Sequence, residues 1–262
     1  MVTGAVLHTQ TYGGPAGAPA VVALHGIRGH CRRWRGLTEE HLPGLRVHGL
    51  DLRGHGLSTW APPWTLEQHA ADVLTTMDEL GLGRADVIGH SFGGAVALYV
   101  ARHAPDRVRR LVLLDPAVGL SPEDAIAGAR EGLTELSFDD VAQARTARSV
   151  AWSADVGAGA VDAEVHDHLE CGPDGRWRWR YEPAVVVTAY SEMARTAVVP
   201  PPGLPTLLVR AAKGPVVPDD FIAACQAALG AEVTVVEVDC GHMVYLERPA
   251  ETATLIRTFL DR

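Results

Sequence analysis

The run Gly89-His90-Ser91-Phe92-Gly93 constrains this chain more than any other feature. Before it, Ala85-Asp86-Val87-Ile88 has the character of a short buried strand, and residues 94–101 read as an apolar, alanine-rich helix. A serine with a glycine two positions to either side, at a strand-to-helix turn, implies a very sharp bend. A Cβ at either glycine would collide with the neighbouring strand or helix. The serine is then held in a strained backbone conformation that lifts its hydroxyl above the sheet. A glycine-rich turn that merely happens to hold a serine is the plainer alternative. The strand before and the helix after speak for a presented nucleophile.

The rest of the chain alternates short β-branched or apolar runs with helical patterns, the signature of a mainly parallel α/β sheet with helices on both faces. Residues 6–12 alternate and are expected to form an outer antiparallel strand; 20–24, 46–50, 111–114, 206–209 and 233–236 read as strands of the sheet. Over 66–80, Leu66, Ala70, Val73, Leu74, Met77 and Leu80 fall on one helical face. Thr65 is its expected N-cap, with Gln68 completing a capping box and Gly81 stopping it. Residues 249–260 close the chain as an amphipathic helix. Between Asp115 and Pro205 the rhythm breaks into a stretch too long to be a loop in a compact domain. Rich in helix formers and ending in Pro200-Pro201-Pro202-Gly203, it predicts an inserted cap over 121–203, with a core formed by 1–120 and 204–262.

Composition excludes several classes of partner. The 262 residues are 47% hydrophobic and carry a net charge of −9, with lysine and arginine scattered, so neither nucleic acid nor an anionic membrane surface is expected. No apolar stretch approaches the ~20 residues of a membrane span, and the first residues lack the basic region and apolar core of a secretory leader. Cys31, Cys171, Cys225 and Cys240 form no CxxC pair, so free thiols and a cytoplasmic setting are expected. The twelve histidines show no HxxxH or HExxH spacing, so no metal and no cofactor are expected. Oligomeric state is not legible.

A serine nucleophile needs a base. His242, in Asp239-Cys240-Gly241-His242-Met243 after the last predicted strand, lies at the carboxyl edge of the sheet where ligands bind in open α/β folds. The negative oxygen of a tetrahedral intermediate needs donors, and the Ile27 N–H of the His25-Gly26-Ile27-Arg28-Gly29 loop, with the Phe92 N–H, would supply two.

His25-Gly26, Asp51-Leu52-Arg53-Gly54-His55-Gly56, Gly89-His90-Ser91-Phe92-Gly93-Gly94 and Gly241-His242 occur in an order that resembles the α/β-hydrolase superfamily, in its cap-bearing esterase, lipase and C–C hydrolase branch. The resemblance implies a Ser–His–acid triad and a structural role for Asp51 and Arg53. It also implies an acid in the loop after strand 206–209, but the expected position holds Pro215, which cannot accept an imidazole N–H. Some relatives place the acid at the strand end occupied here by Asp115. Asp219 and Asp220 are alternatives, although both also suit a helix N-terminus. The expectation is thus a metal-free serine hydrolase, with Ser91, His242 and Asp115 as triad, acting on a small or medium, largely apolar carboxylic ester. A C–C hydrolase, lactonase or thioesterase would use the same parts, and a catalytically silent ligand-binding protein is the alternative of a different class. Trp34, Trp60, Trp152 and Tyr245 are candidates for an acyl pocket or for plain packing. Arg178 and Arg180 are candidates for a carboxylate site or a solvated edge.

Overall fold

The computed structural model describes residues 3–134, 136–214 and 216–261. Nine strands are defined in chain order: β1 Thr9–Gly13, β2 Ala20–Leu24, β3 Arg46–Leu50, β4 Ala85–His90, β5 Val108–Leu114, β6 Leu169–Cys171, β7 Trp177–Trp179, β8 Thr206–Ala211 and β9 Val233–Val238, counted among the described residues. Seven of these form one sheet in the order β1-β3-β2-β4-β5-β8-β9. Only β1 runs antiparallel, pairing Thr9 with Leu50. The remaining pairs are parallel, so β2, β4, β5, β8 and β9 all end at the same edge.

The central strands are continuous apolar runs because both faces of the sheet are covered. Successive residues of β5 make the point: Leu111 and Leu113 enter one buried cluster, with Val87, Val96 and Leu98, while Val112 and Leu114 enter another on the opposite face, with Ile88 and Ile256. Full burial of such side chains stabilises the fold by roughly 1.5–3 kcal/mol each. The first cluster includes the helices Leu66–Glu79 and Phe92–His103, and the second the terminal helix Pro249–Leu260.

Two local expectations are corrected. The outer strand starts at Thr9, not at residue 6, because the Leu7 and His8 N–H groups donate to Thr76 Oγ1 (2.9 Å) and Ser58 Oγ (2.8 Å) instead of to a neighbouring strand. Thr65 does cap the helix Leu66–Glu79, its Oγ1 accepting the Gln68 N–H. The reciprocal half of the box is missing, because the Gln68 side chain donates to Thr3 O and Asp72 Oδ1. Gly81, at φ 69°, takes the left-handed conformation that ends the helix.

Between β5 and β8 lie the helices Pro122–Glu131, Val141–Ala151, Ala158–His168 and Pro183–Met193, and the hairpin β6–β7. Phe138, Ala144, Leu169, Trp179, Tyr181, Val185 and Val186 give this insertion its own buried cluster. Among the described residues no helix is long and apolar enough to cross a membrane.

Candidate active site

The turn around Ser91 is as tight as its glycines require. A Cβ at Gly89 would lie 2.3 Å from the Gly93 carbonyl oxygen, and one at Gly93 would lie 2.3 Å from that of Leu24. Ser91 sits at φ 54°, ψ −122°, with its N–H donating to the Leu114 carbonyl of the adjacent strand (3.1 Å). Among the described residues the non-glycine residues with positive φ are Arg28, Ser91 and Asp115. Ser91 and Asp115 directly follow β4 and β5, and Arg28 lies in the loop after β2, so all the strained residues gather at one sheet edge.

Asp115 is fully buried, and its carboxylate is divided between two partners. Oδ1 accepts the Ala211 N–H (3.0 Å) and Oδ2 lies 2.6 Å from His242 Nδ1. The His242 loop is held from behind by Glu247, whose Oε2 accepts the Gly241 N–H at 2.6 Å. His90 Nε2 donates to the His242 carbonyl (2.8 Å). Burial, and then the neighbouring His242, push the His90 imidazole pKa well below its ordinary value, leaving a neutral donor. Asp219 is not brought to His242: it opens the helix Asp219–Leu229, is 85% exposed at its side chain, and pairs with Arg210 Nη1 at 2.6 Å. Asp220 is likewise exposed. Pro215 lies outside the described residues.

The loop after β2 passes directly over Ser91. A Cβ at Gly26 would meet the Ser91 Cβ at 2.9 Å, so this approach is open to glycine alone. Two buried imidazoles shape the loop. His25 Nδ1 donates to the Gly26 carbonyl (2.7 Å) while Nε2 accepts the Leu52 N–H (2.9 Å). His55 Nδ1 donates to the Arg53 carbonyl (3.0 Å) while Nε2 accepts the Arg28 N–H (3.2 Å). Each ring must be neutral to donate and accept at once. Burial supplies that condition, lowering the His25 pKa well below its usual value and that of His55 to about 4. Ile27, between these anchors, lines the cleft above Ser91. Phe92 opens the elbow helix, where an N–H has no carbonyl partner within the helix.

Asp51 and Arg53 brace this arrangement from below. Asp51 accepts the Cys31 N–H (2.7 Å) and Leu57 N–H (3.0 Å) and contacts His8 Nδ1 (2.8 Å). Burial raises its pKa, but the His8 contact and these donors together hold it below the usual carboxylate range. Arg53 grips Asp72 through Nε (2.7 Å) and Nη2 (2.8 Å). His8, Cys31 and Asp51 bring potential ligand atoms within 4.8 Å of one another. Asp51 is already engaged by those hydrogen bonds, and burial raises the Cys31 thiol pKa, so the donor set is that of a structural knot.

Ser91 and His242 line one cleft of about 920 Å³, closed on the far side by residues of the insertion. Of the aromatic candidates, Trp152 lines it, whereas Trp34 and Tyr245 are buried and stacked on each other at 4.5 Å. Trp60 donates to the Gly56 carbonyl instead (3.2 Å). Arg178 and Arg180 belong to the hairpin's edge, paired with Asp174 and Glu170. Cys31, Cys171, Cys225 and Cys240 are free. Sequence reasoning missed Glu247 and a buried ionic group at the cleft: Arg33, Arg148 and Glu164. Glu247 had a local signal, an acid four residues beyond Met243 at a short helical turn. Arg33 and Glu164, 131 positions apart, had none.

The family model described as "Alpha/beta hydrolase family" matches residues 21–255. The chain is 41% identical over 256 residues to "Lipase LipV" of Mycobacterium tuberculosis, covering 97% of each protein. Among solved structures it resembles an esterase described as from a marine microorganism, with a TM-score of 0.79 at 20% identity, covering 97% of this chain and 99% of the other. It also resembles an E-2-(acetamidomethylene)succinate hydrolase, with a TM-score of 0.81 at 22% identity, covering 98% of this chain and 95% of the other.

Proposed function

The chain belongs to the alpha/beta hydrolase family, and from that premise we propose that it is a serine carboxylesterase acting on a small or medium, largely apolar ester. The observation that carries this reading is the 2.6 Å contact between His242 Nδ1 and the fully buried Asp115, in the cleft that also holds the strained Ser91. With its Nδ1–H donated to Asp115, the imidazole keeps Nε2 free to take the Ser91 proton as Oγ attacks the acyl carbon. The Ile27 and Phe92 N–H groups receive the oxygen that becomes negative. His242 returns the proton to the leaving alcohol, then activates water to release the acyl group from Ser91. Asp115 stays ionised throughout and stabilises the imidazolium.

The relative with 41% identity bears the name of a lipase, which agrees with ester chemistry. Met193, Val216 and Val217 offer the acyl chain apolar walls, and free cysteines suit a reducing compartment. The proline at the expected acid position lent weight to the non-catalytic alternative, and the Asp115 carboxylate 2.6 Å from the imidazole supports the enzyme reading instead. A panel of p-nitrophenyl esters of rising chain length, run beside lactones and thioesters, tests the substrate class. The expected result is highest kcat/KM on an ester of short or medium acyl chain. Turnover confined to lactones or thioesters would move the chain to that chemistry.

A further inference from the structure

At the outer part of the cleft Arg28 pairs with Glu131 at 3.3 Å and Arg210 with Asp219 at 2.6 Å, while Asp124 accepts the Ser121 hydroxyl at 2.7 Å. Deeper in, the balance fails. Arg33, from the core, and Arg148, from the insertion, both line the cleft and are both more than nine-tenths buried, yet they share one carboxylate. Glu164 is spent mainly on others. Arg33 holds it through Nε (2.9 Å) and Nη2 (2.5 Å), and His30 Nε2 reaches it at 2.9 Å. Arg148 Nη2 stands off at 3.5 Å, and its buried Nε has no hydrogen-bond partner.

A buried, half-compensated guanidinium is costly unless something completes it. The neighbouring rings do so only in part: the Arg148 guanidinium lies 4.2 Å from the Trp179 ring centroid and 5.4 Å from that of Trp152. Burial lowers its pKa to about 10, with Glu164 opposing, so it remains charged at neutral pH. The nearby His168 adds no further positive charge, because burial and His30 drive its pKa well below its usual value and leave it neutral. Two cations facing one anion across the wall of the cleft leave a site for one further negative group. A carboxylate is the planar, two-oxygen partner that a guanidinium edge accepts best.

We propose that Arg148, backed by Arg33, binds a carboxylate carried by the substrate, so that the ester cleaved at Ser91 is apolar along its chain and anionic at one end. This rests on the esterase reading and adds to it the polarity of the far end of the ligand.

The test compares esters that differ only in that end. Mono-p-nitrophenyl adipate against its neutral methyl ester places the carboxylate on the acyl side. The hexanoyl ester of 4-hydroxybenzoate against 4-methylphenyl hexanoate places it on the alcohol side. The expected result is a kcat/KM preference for the anion of about tenfold or more in one of the pairs, expressed mainly through KM. Arg148→Met should erase that preference and Arg148→Lys should keep part of it. No preference in either pair, or an Arg148→Met loss equal for anionic and neutral esters, would overturn the proposal and mark Arg148 as a packing element. Calorimetric binding of monomethyl adipate to the wild type and to Arg148→Met separates the two layers. Arg148-dependent binding without any ester turnover would sink the esterase reading alone; turnover without such binding would sink the anion site alone.

Discussion

Ser91→Ala is expected to lower kcat on a p-nitrophenyl ester by about six orders of magnitude, the loss seen when a serine hydrolase is stripped of its nucleophile. The fold should survive. The structural bonds of residue 91 are made by its backbone, which donates to Leu114 and accepts from Gly94, Ala95 and Ala117, and alanine keeps all of them. Alanine tolerates φ 54° no worse than serine does, since both carry a Cβ. Steady-state kinetics with a thermal melt of the same sample checks both halves. Turnover within tenfold of wild type in a folded variant would contradict the assignment.

Asp115→Asn is expected to lower kcat by about four orders of magnitude with little change in KM. The reason is local. The Ala211 N–H points at Oδ1, so an asparagine there must turn its carbonyl oxygen toward Ala211 and its NH₂ toward His242. Nδ1 then has to accept, the proton moves to Nε2, and the imidazole can no longer receive one from Ser91. The opposite flip sets NH₂ against N–H in a fully buried site, which costs about 1–3 kcal/mol for the unsatisfied donor. Asp219→Asn, at an exposed side chain paired with Arg210, should change kcat by no more than about threefold, as surface substitutions do. If the losses were exchanged between the two variants, the acid would be Asp219.

What the sequence revealed follows from how local the governing physics is. The elbow was legible because its glycines answer contacts fixed within a few residues, Gly89 against Gly93 above all. The parallel sheet was legible because strands buried on both faces must be apolar throughout. Asp115 was named only by its place at a strand end; its contact with a histidine 127 positions away needed the fold. The start of the outer strand was misread because Thr76 and Ser58, distant in sequence, take its N–H groups, and the Gln68 half of the capping box because the distant Thr3 carbonyl and Asp72, one helical turn on, take its amide. The shared carboxylate of Arg33 and Arg148 left no trace in spacing, since its members come from the loop after β2 and from two helices of the insertion.

The central claim is that Ser91 is a nucleophile activated by His242. Labelling the folded protein with a fluorophosphonate, then locating the adduct by peptide mass spectrometry, tests it most directly. One adduct per chain is expected, on Ser91, and none when His242 is replaced by alanine. An unmodified wild-type protein, or an adduct on any other residue, would contradict it.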